Sequence, residues 1–400
     1  MSPGRTELAG DERLPVVSVG AGAMGRTWLR ALEASAEVDL VGVVDLDEAA
    51  ARSAVTALGR PDLPVGPDAV ALARRTGARA VVDVTVPAAH HPVTTAALRA
   101  GLPVLGEKPV AATLPQALSL AAAAEVTGRL FMVSQSRRWN PQVDLLRRLT
   151  GRLGGVGTLT TEFFRAPRFG GFREEMDHPL LVDMAIHAFD TARFVLGDEP
   201  VSAWCTAHDP PWSWYRGDAS ATAVFTTAAG ARCTYTGSWC APGDETSWNG
   251  SWRVSGRLGT ARWDGDAEPV VVLGDEATAQ DREGVAAVLA GPRSPHEGVA
   301  GALSVFVDAL RTGEAPSGEV HENVMSLAMV EAAVESASTG AVVQLDDLLE
   351  RARQRALDAE EDGAVREVLS GWTTVRAALG RTRDPLPPGA GRGGRAATGA

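Results

Sequence analysis

The first 135 residues alternate between short apolar runs of strand length and segments with helix signals. The apolar runs lie at 16–19, 38–44, 80–86, 103–105 and 130–133, and the helical segments lie at 24–35, 47–58, 67–76, 92–100 and 115–127. Glycine follows most of these helical segments, as is usual just beyond a helix end. The alternation predicts an α/β domain with a doubly wound parallel sheet.

After Gln135 the pattern changes, and strands dominate the second half of the chain. Helices are predicted at 141–149, 179–196, 299–311 and 322–339, and strands at 158–165, 201–208, 219–227, 231–238, 251–255, 260–263, 269–273 and 341–345. This order predicts an α+β domain with a large, mostly antiparallel open sheet. The predicted division is a first domain at 15–135, a second at 136–348, a helical extension at 349–380, and disordered ends at 1–14 and 381–400.

Composition narrows the function classes. The chain has 400 residues, of which 45% are hydrophobic, and this is enough for two domains that each have a hydrophobic core. No apolar run has the length of a membrane span and no signal peptide is recognisable, so we expect a cytoplasmic protein without membrane contact. The net charge of −12 argues against nucleic acid as a partner. The three cysteines are expected to be free thiols, and a small molecule is the expected partner.

A glycine-rich motif follows the first predicted strand. Gly20, Gly22 and Gly25 have GxGxxG spacing at the mouth of a helix, with Ala23 and Met24 inside the motif. Bare backbone there lets a pyrophosphate approach the helix amino terminus. The motif predicts a Rossmann domain that binds a dinucleotide, with these five residues as cofactor contacts.

Asp45 ends the second predicted strand, 20 residues after Gly25. A carboxylate at this place is suited to the adenosine ribose hydroxyls and repels a 2′-phosphate, and Leu46 supplies no cation to accept one. We therefore expect NAD rather than NADP as cofactor. The alternative is a solvated aspartate at a strand end.

The third strand of the predicted sheet ends near Thr85 and Pro87, and His90 follows. Ligands of open parallel sheets lie beyond the carboxyl ends of the strands. These three residues are therefore further cofactor candidates.

Lys108 is the only lysine in a chain with 38 basic residues. It follows a predicted strand and should face the same crevice. Lysine can change its protonation state where arginine cannot, and a cation beside a carbinol oxygen stabilises developing alkoxide. The alternative is an ordinary surface lysine.

Asp183 and His187 are four residues apart on a predicted helix and therefore share a face. The histidine is a candidate base, and the aspartate could orient it or bind substrate, with Asp190 on its other side. One alternative is a packed helix with a satisfied histidine. Another is a zinc site formed by His178, Asp183 and His187, although no further ligand stands nearby, so we expect no metal.

Two more residues, Arg138 and Trp139, are candidates for binding substrate. Seven of the ten tryptophans fall between Trp204 and Trp263. They could stack on a sugar face, but core or interface packing is the usual fate of tryptophan beneath a large sheet.

At these motifs the chain resembles the Gfo/Idh/MocA family, which includes glucose-fructose oxidoreductase and inositol 2-dehydrogenase. The resemblance rests on VSVGAGAMG, GEKPV, VDMAIHAFD and EAAVESASTGAVVQL, and covers about residues 16–348. It implies that Lys108, Asp183 and His187 are catalytic and bind substrate, that Glu107 and Pro109 line the cofactor with Lys108, and that the open sheet forms homodimers or homotetramers. The charged extension lies outside the family pattern.

The expected function is NAD-dependent hydride transfer to or from a hydroxyl-bearing carbon of a sugar, sugar derivative or cyclitol. Two alternatives stay open. One is a hydrolase or lyase that retains NAD for a transient oxidation of a glycoside. The other is a regulator that senses NAD without catalysis, which the presence of all three catalytic candidates disfavours.

Overall fold

The computed structural model describes residues 12–380, and its first part is a parallel sheet covered by helices on both faces. The six strands have the order β3-β2-β1-β4-β5-β6. They are β1 (Leu14–Val19), β2 (Val38–Val44), β3 (Val65–Gly66), β4 (Ala80–Asp83), β5 (Val104–Glu107) and β6 (Phe131–Ser134). The connecting helices are α1 (Ala23–Ala34), α2 (Glu48–Ala57), α3 (Ala69–Thr76), α4 (Pro87–Arg99) and α5 (Leu114–Thr127).

This sheet confirms the predicted doubly wound Rossmann fold. Its strands are buried on both faces, which explains their nearly continuous apolar sequence. The strand order reverses between β1 and β4, so a crevice opens beyond their carboxyl ends. The predicted helix at 92–100 begins earlier than expected, because Pro87 occupies the first turn of α4, where its missing N–H is harmless.

The second part is built on an eight-stranded sheet with the order β13-β12-β11-β7-β10-β9-β8-β14. Its strands are β7 (Val156–Phe164), β8 (Pro200–His208), β9 (Ser220–Thr227), β10 (Arg232–Ser238), β11 (Ser251–Gly256), β12 (Gly259–Trp263), β13 (Val270–Leu273) and β14 (Val343–Gln344). All neighbouring strands are antiparallel except β7 and β10. The predicted mostly antiparallel open sheet is confirmed.

The remaining helices contact this sheet, one another or the first domain. They are α6 (Pro141–Thr150), α7 (Ile186–Leu196), α8 (Ala279–Ala290), α9 (Gly298–Thr312), α10 (Val320–Thr339), α11 (Leu345–Ala359), α12 (Gly363–Gly371) and α13 (Val375–Leu379), with a π-helical turn at Leu180–Ala185 and 3₁₀ turns at Ser136–Trp139 and Gly171–Glu175. Helix α8 was not predicted, although Thr278 and Asp281 form a capping box at its start.

Helix α9 lies outside the domain that the sequence order suggests. Leu303 and Phe306 are buried in one cluster with Trp28 and Leu32 of α1. Arg311 of α9 also forms an ion pair with Glu37, at 2.9 Å. The second half of the chain therefore contributes a helix to the first domain.

The charged extension is a folded part of the structure. One continuous helical pattern was predicted there, but the chain forms three helices, because Asp362 and Thr374 cap new helix starts. Helices α11 and α12 pack against α5, and Arg99 of α4 pairs with Asp362 at 2.8 Å. The predicted disordered segments lie outside the described residues except for 12–14, where β1 begins at Leu14.

Three of the seven tryptophans between Trp204 and Trp263 pack in the core, and three are exposed. Trp239, Trp252 and Trp263 are buried. Trp214 is half-buried and Trp248 is exposed. Each of these two has an arginine guanidinium over its ring. Among the described helices, none combines the length and apolarity needed to cross a membrane.

Trp372 tests whether the extension belongs to the core. Its side chain is only 4% exposed, so Trp372→Ala should lower the free energy of unfolding by about 3–5 kcal/mol, measured by urea denaturation. The control Arg351→Ala breaks an exposed pair with Glu335 and should change that free energy by less than about 0.5 kcal/mol. A loss below about 1 kcal/mol for Trp372→Ala would contradict this assignment.

Candidate active site

The glycine-rich loop leaves room for a phosphate group at the start of α1. A Cβ atom on Gly20 would lie 2.4 Å from the Val84 carbonyl oxygen, and one on Gly25 would lie 2.1 Å from the Gly20 carbonyl oxygen. Both glycines are therefore required for the tight packing of loop, strand and helix. Gly22, by contrast, has no atom within 4 Å of its Cβ position, and no side chain caps the helix there. The open space and uncapped amino terminus fit a pyrophosphate.

Asp45 lies against this loop. Its Oδ2 accepts a hydrogen bond from the Ala21 backbone N–H at 2.8 Å, and its Oδ1 accepts one from the Asp47 N–H at 2.9 Å. The next residue, Leu46, is 90% exposed. The geometry joins the carboxylate to the loop that would hold the pyrophosphate, beside the place where an adenosine ribose would lie.

His90 is placed differently from the direct cofactor contact that was expected. It is buried, and its Nδ1 and Nε2 lie 2.7 Å from the Pro109 carbonyl oxygen and 3.1 Å from the Thr85 carbonyl oxygen. Both ring nitrogens therefore have protein partners. His90 fixes the two loops that carry Thr85 and Lys108 instead of presenting a free nitrogen to a ligand.

Asp83 was missed in the sequence, although an aspartate that ends a buried strand is a signal. Its carboxylate accepts hydrogen bonds from the hydroxyls of Thr85, at 2.6 Å, and Thr94, at 3.0 Å. Burial raises the pKa of Asp83 above its ordinary value, partly offset by nearby His90 and these hydrogen bonds. Asp83 and His90 together hold the strand end in place. Pro87 is exposed at the start of α4.

Glu107 supports the catalytic candidate beside it. Its buried carboxylate accepts hydrogen bonds from Trp28 Nε1 at 2.8 Å and from the Lys108 backbone N–H at 3.1 Å. Burial raises the pKa of the Glu107 carboxyl. The Lys108–Pro109 peptide bond is cis.

The Lys108 ammonium reaches across to the second domain. Its Nζ donates to Asp183 Oδ1 and to the Asp183 carbonyl oxygen, each at 2.9 Å. Arg173 Nε donates to the other carboxylate oxygen of Asp183 at 2.7 Å. Although burial raises the pKa of Asp183, the charges and hydrogen bonds of Lys108 and Arg173 outweigh it, and the pKa lies below its ordinary value. Asp183 therefore carries a stable negative charge between two cations.

His187 lies just beyond a π-helical turn. Leu180–Ala185 winds as a π turn and regular α7 starts at Ile186. Within residues 12–380, the Asp183 carboxylate is bonded to Lys108 and Arg173 and forms no hydrogen bond with His187. His187 Nδ1 is buried and has no hydrogen-bond partner among the described residues. Desolvation, together with the charges of Arg137 and Lys108, holds the pKa of His187 well below its ordinary value. The imidazole is therefore neutral at neutral pH.

Arg138 is not available to a substrate, which corrects its predicted role. Its buried guanidinium forms a bidentate pair with Asp190, at 2.7 and 2.6 Å, and also bonds Glu322 at 2.7 Å and Ser317 at 2.8 Å. These bonds use four of the five N–H donors of the guanidinium, and the side chain is only 1% exposed, so a ligand cannot reach it. The same pair removes Asp190 from His187, where it had been expected.

Trp139 also needs correction. Its side chain is 9% exposed and packs in the cluster beneath α9, with its ring edge-on to His296 at a centroid distance of 6.2 Å. It is therefore a core residue. Arg137 was not predicted from the sequence, and its charge, together with that of Lys108, lowers the pKa of His187.

The alternative zinc site is not assembled. His178 lies 3.3 Å from Asp218, while both oxygens of Asp183 are engaged by cations. Over residues 12–380 there is no group of three or more histidine, cysteine, aspartate and glutamate side chains suited to a metal ion.

Comparison with known proteins agrees with this geometry. Residues 14–135 match the NAD-binding Rossmann fold of an oxidoreductase family, and residues 149–345 match its C-terminal alpha/beta domain. The chain belongs to the Gfo/Idh/MocA family of NAD-binding oxidoreductases. The resemblance found in the sequence motifs is thereby confirmed.

Individual relatives cover the chain to different extents. A D-apiose dehydrogenase of Paraburkholderia graminis is 28% identical over 373 residues, which is 87% of this chain and 93% of that protein. An inositol 2-dehydrogenase of Rhizobium meliloti is 32% identical over 199 residues, 47% of this chain and 57% of that protein. The crystal structure of GenD2 from gentamicin A biosynthesis, in complex with NAD, has a TM-score of 0.66 at 26% identity and covers 84% of this chain and 98% of that one.

The protonation state of His187 can be measured without a substrate. Since its pKa is depressed, its imidazole NMR signal should keep the neutral chemical shift as pH falls through 6.5, and titrate only well below that value. His187→Asn assigns the signal. Arg137→Gln removes one nearby cation and should raise the pKa of His187, whereas Arg257→Gln, at an exposed pair with Glu276, should leave it unchanged. Titration at or above pH 6.5 in the wild type would refute the assignment.

Proposed function

We propose that this protein is an NAD-dependent dehydrogenase that interconverts a secondary hydroxyl and a ketone on a sugar, sugar derivative or cyclitol. The observation that carries the proposal is the meeting of the Lys108 ammonium, the Asp183 carboxylate and neutral His187 at the junction of the two domains. Two relatives named as D-apiose dehydrogenase and inositol 2-dehydrogenase support the substrate class.

The cofactor would be held by residues of the first domain. Gly20, Gly22, Ala23, Met24 and Gly25 would surround the pyrophosphate, and Asp45 would hold the adenosine ribose. The segments Thr85–Pro87 and 107–109 would flank the nicotinamide. The carboxylate of Asp45 and the apolar Leu46 favour NAD over NADP. When bound, NAD accepts or returns the hydride.

The residues of the chain perform the proton chemistry. In the oxidation direction the neutral imidazole of His187 removes the hydroxyl proton. Lys108 lies where its ammonium can stabilise the oxygen as negative charge develops on it. Asp183 holds Lys108 through two hydrogen bonds and is itself held by Arg173, so its role is to position the ammonium.

The oligomeric state belongs to the same proposal. A homodimer or homotetramer formed through the open sheet is supported by exposed apolar side chains on its strands. Trp204 on β8 is 40% exposed, and Val270 and Val272 on β13 are 52% and 62% exposed. They lie near opposite ends of the strand order, and an interface across the whole open sheet would cover both groups.

Lys108→Arg tests the assignment of the ammonium. We expect kcat to fall by about 100- to 1,000-fold, because arginine keeps a charge beside Asp183 but cannot place a compact ammonium at the oxygen. Formation of reduced nicotinamide is followed by absorbance with NAD and with NADP, against inositols, aldoses, sugar acids and glycosides. NAD affinity, measured by calorimetry, should stay within about twofold, since the glycine loop and Asp45 are untouched.

The matched control is Arg257→Lys, which makes the reverse exchange at an exposed ion pair and should leave kcat unchanged. Full activity of Lys108→Arg would overturn the proposed role. NAD binding without net turnover, but with cleavage of a glycoside, would replace the dehydrogenase by a lyase or hydrolase that retains its cofactor. Binding without any reaction would point to a sensor.

A further inference from the structure

Arg137 differs from the other arginines near the site in having no carboxylate partner. Arg138, Arg173 and Arg193 each form ion pairs with aspartate or glutamate. Within residues 12–380, Arg137 forms none, and the hydrogen-bond contact of its Nη2 is the Met184 sulfur at 3.9 Å. A thioether is a weak acceptor, so the guanidinium keeps nearly all its capacity to bind an anion.

Arg137 contacts the segment that carries Asp183 and His187, so an anion bound to its guanidinium would lie near these side chains. Met184 follows Asp183 in the π turn and precedes His187 by three residues. Of the two cations that lower the pKa of His187, Arg137 has the larger effect and Lys108 the smaller. Arg137 and Lys108 therefore both lie within electrostatic reach of His187.

Burial makes the lack of a partner costly. The Arg137 side chain is partly buried, and burial lowers its pKa to about 10, which still leaves it charged at neutral pH. A cation removed from water without an anion or a full set of acceptors is unfavourable. A bound ligand with hydrogen-bond acceptors would therefore stabilise the Arg137 guanidinium beside the proposed base, His187.

The charge balance of the site also favours an anionic ligand. Lys108, Arg137 and Arg173 contribute positive charge, and Asp183 is the carboxylate placed between two of them. Glu107 does not restore the balance, because its carboxylate is turned to Trp28 and the Lys108 backbone, and burial raises its pKa. The site is therefore short of negative charge.

Resting on the proposed function, we propose that Arg137 binds a carboxylate of the substrate, so that the protein acts on a polyhydroxylated carboxylic acid rather than on a neutral sugar or cyclitol. The planar guanidinium matches a carboxylate through two parallel hydrogen bonds. The acid group would be anchored near Met184 while a hydroxyl on a neighbouring carbon faces His187 and Lys108. A neutral substrate would leave the guanidinium without an acceptor and would bind less tightly.

The test compares acids with their neutral counterparts on protein saturated with NADH. The probes are D-glucuronate and D-glucose, D-galacturonate and D-galactose, and D-gluconate and D-glucitol, and their binding is measured by calorimetry. At least one acid should bind the wild type more tightly than its neutral counterpart. Arg137→Gln should weaken that binding by about 10- to 100-fold, the usual effect of losing a charged hydrogen bond.

Two further variants separate charge from geometry. Arg137→Lys keeps the charge but loses the paired donors, so its affinity for the acid should fall between the wild type and Arg137→Gln. Arg257→Gln removes an exposed arginine elsewhere and should bind the acid like the wild type.

Two binding results would overturn the proposal. One is that none of the three acids binds the wild-type complex better than its neutral counterpart. The other is that an acid does so but binds Arg137→Gln equally well. A kinetic result would also refute carboxylate binding by Arg137: turnover of a neutral sugar with the same KM in the wild type and in Arg137→Gln. That result would still support the proposed dehydrogenase activity. If the protein did not bind NADH, the proposed NAD-dependent dehydrogenase function itself would be refuted.

Discussion

The ion pair between Lys108 and Asp183 joins the two halves of the molecule at the point where chemistry is expected. Lys108 follows strand β5 of the parallel sheet, and Asp183 lies in the π turn of the second domain. Each side chain alone would be a half-buried charge at a domain edge. Together they hold the ammonium at a defined place, and Arg173 fixes the carboxylate from its other side. The site therefore forms only when the two domains are packed together so that Lys108 meets Asp183.

Sequence reasoning reached the parts of this arrangement that depend on local pattern. The glycine spacing, the aspartate that ends β2 and the single lysine after β5 could each be located, because strand ends of a parallel sheet meet at one edge. The choice between Arg137 and Arg138 could not be made in this way. Adjacent residues of a 3₁₀ turn point in different directions, and which one meets Asp190 is decided by the packing of α7 and α10.

Other features depend on contacts between distant segments. Asp183 lies in a π turn, and the periodicity of apolar residues does not distinguish such a turn from an α-helix. Helix α9 returns to α1, and α11 and α12 cover α5, although each looks like part of a later domain. His90 has the sequence position of a ligand residue, yet its two nitrogens meet carbonyl oxygens of Thr85 and Pro109. Only the folded chain shows that it positions these loops.

Acylation of Lys108 is the measurement that bears most directly on this account, because the chain has no other lysine. An acylating reagent forms a stable amide only with this side chain and the terminal amino group, because its products with hydroxyl, thiol and imidazole groups can be hydrolysed. We predict that activity falls in proportion to the fraction of Lys108 acylated, as determined by mass spectrometry, and that cofactor and substrate together protect Lys108 from acylation. Full activity of protein with Lys108 completely acylated would contradict the account.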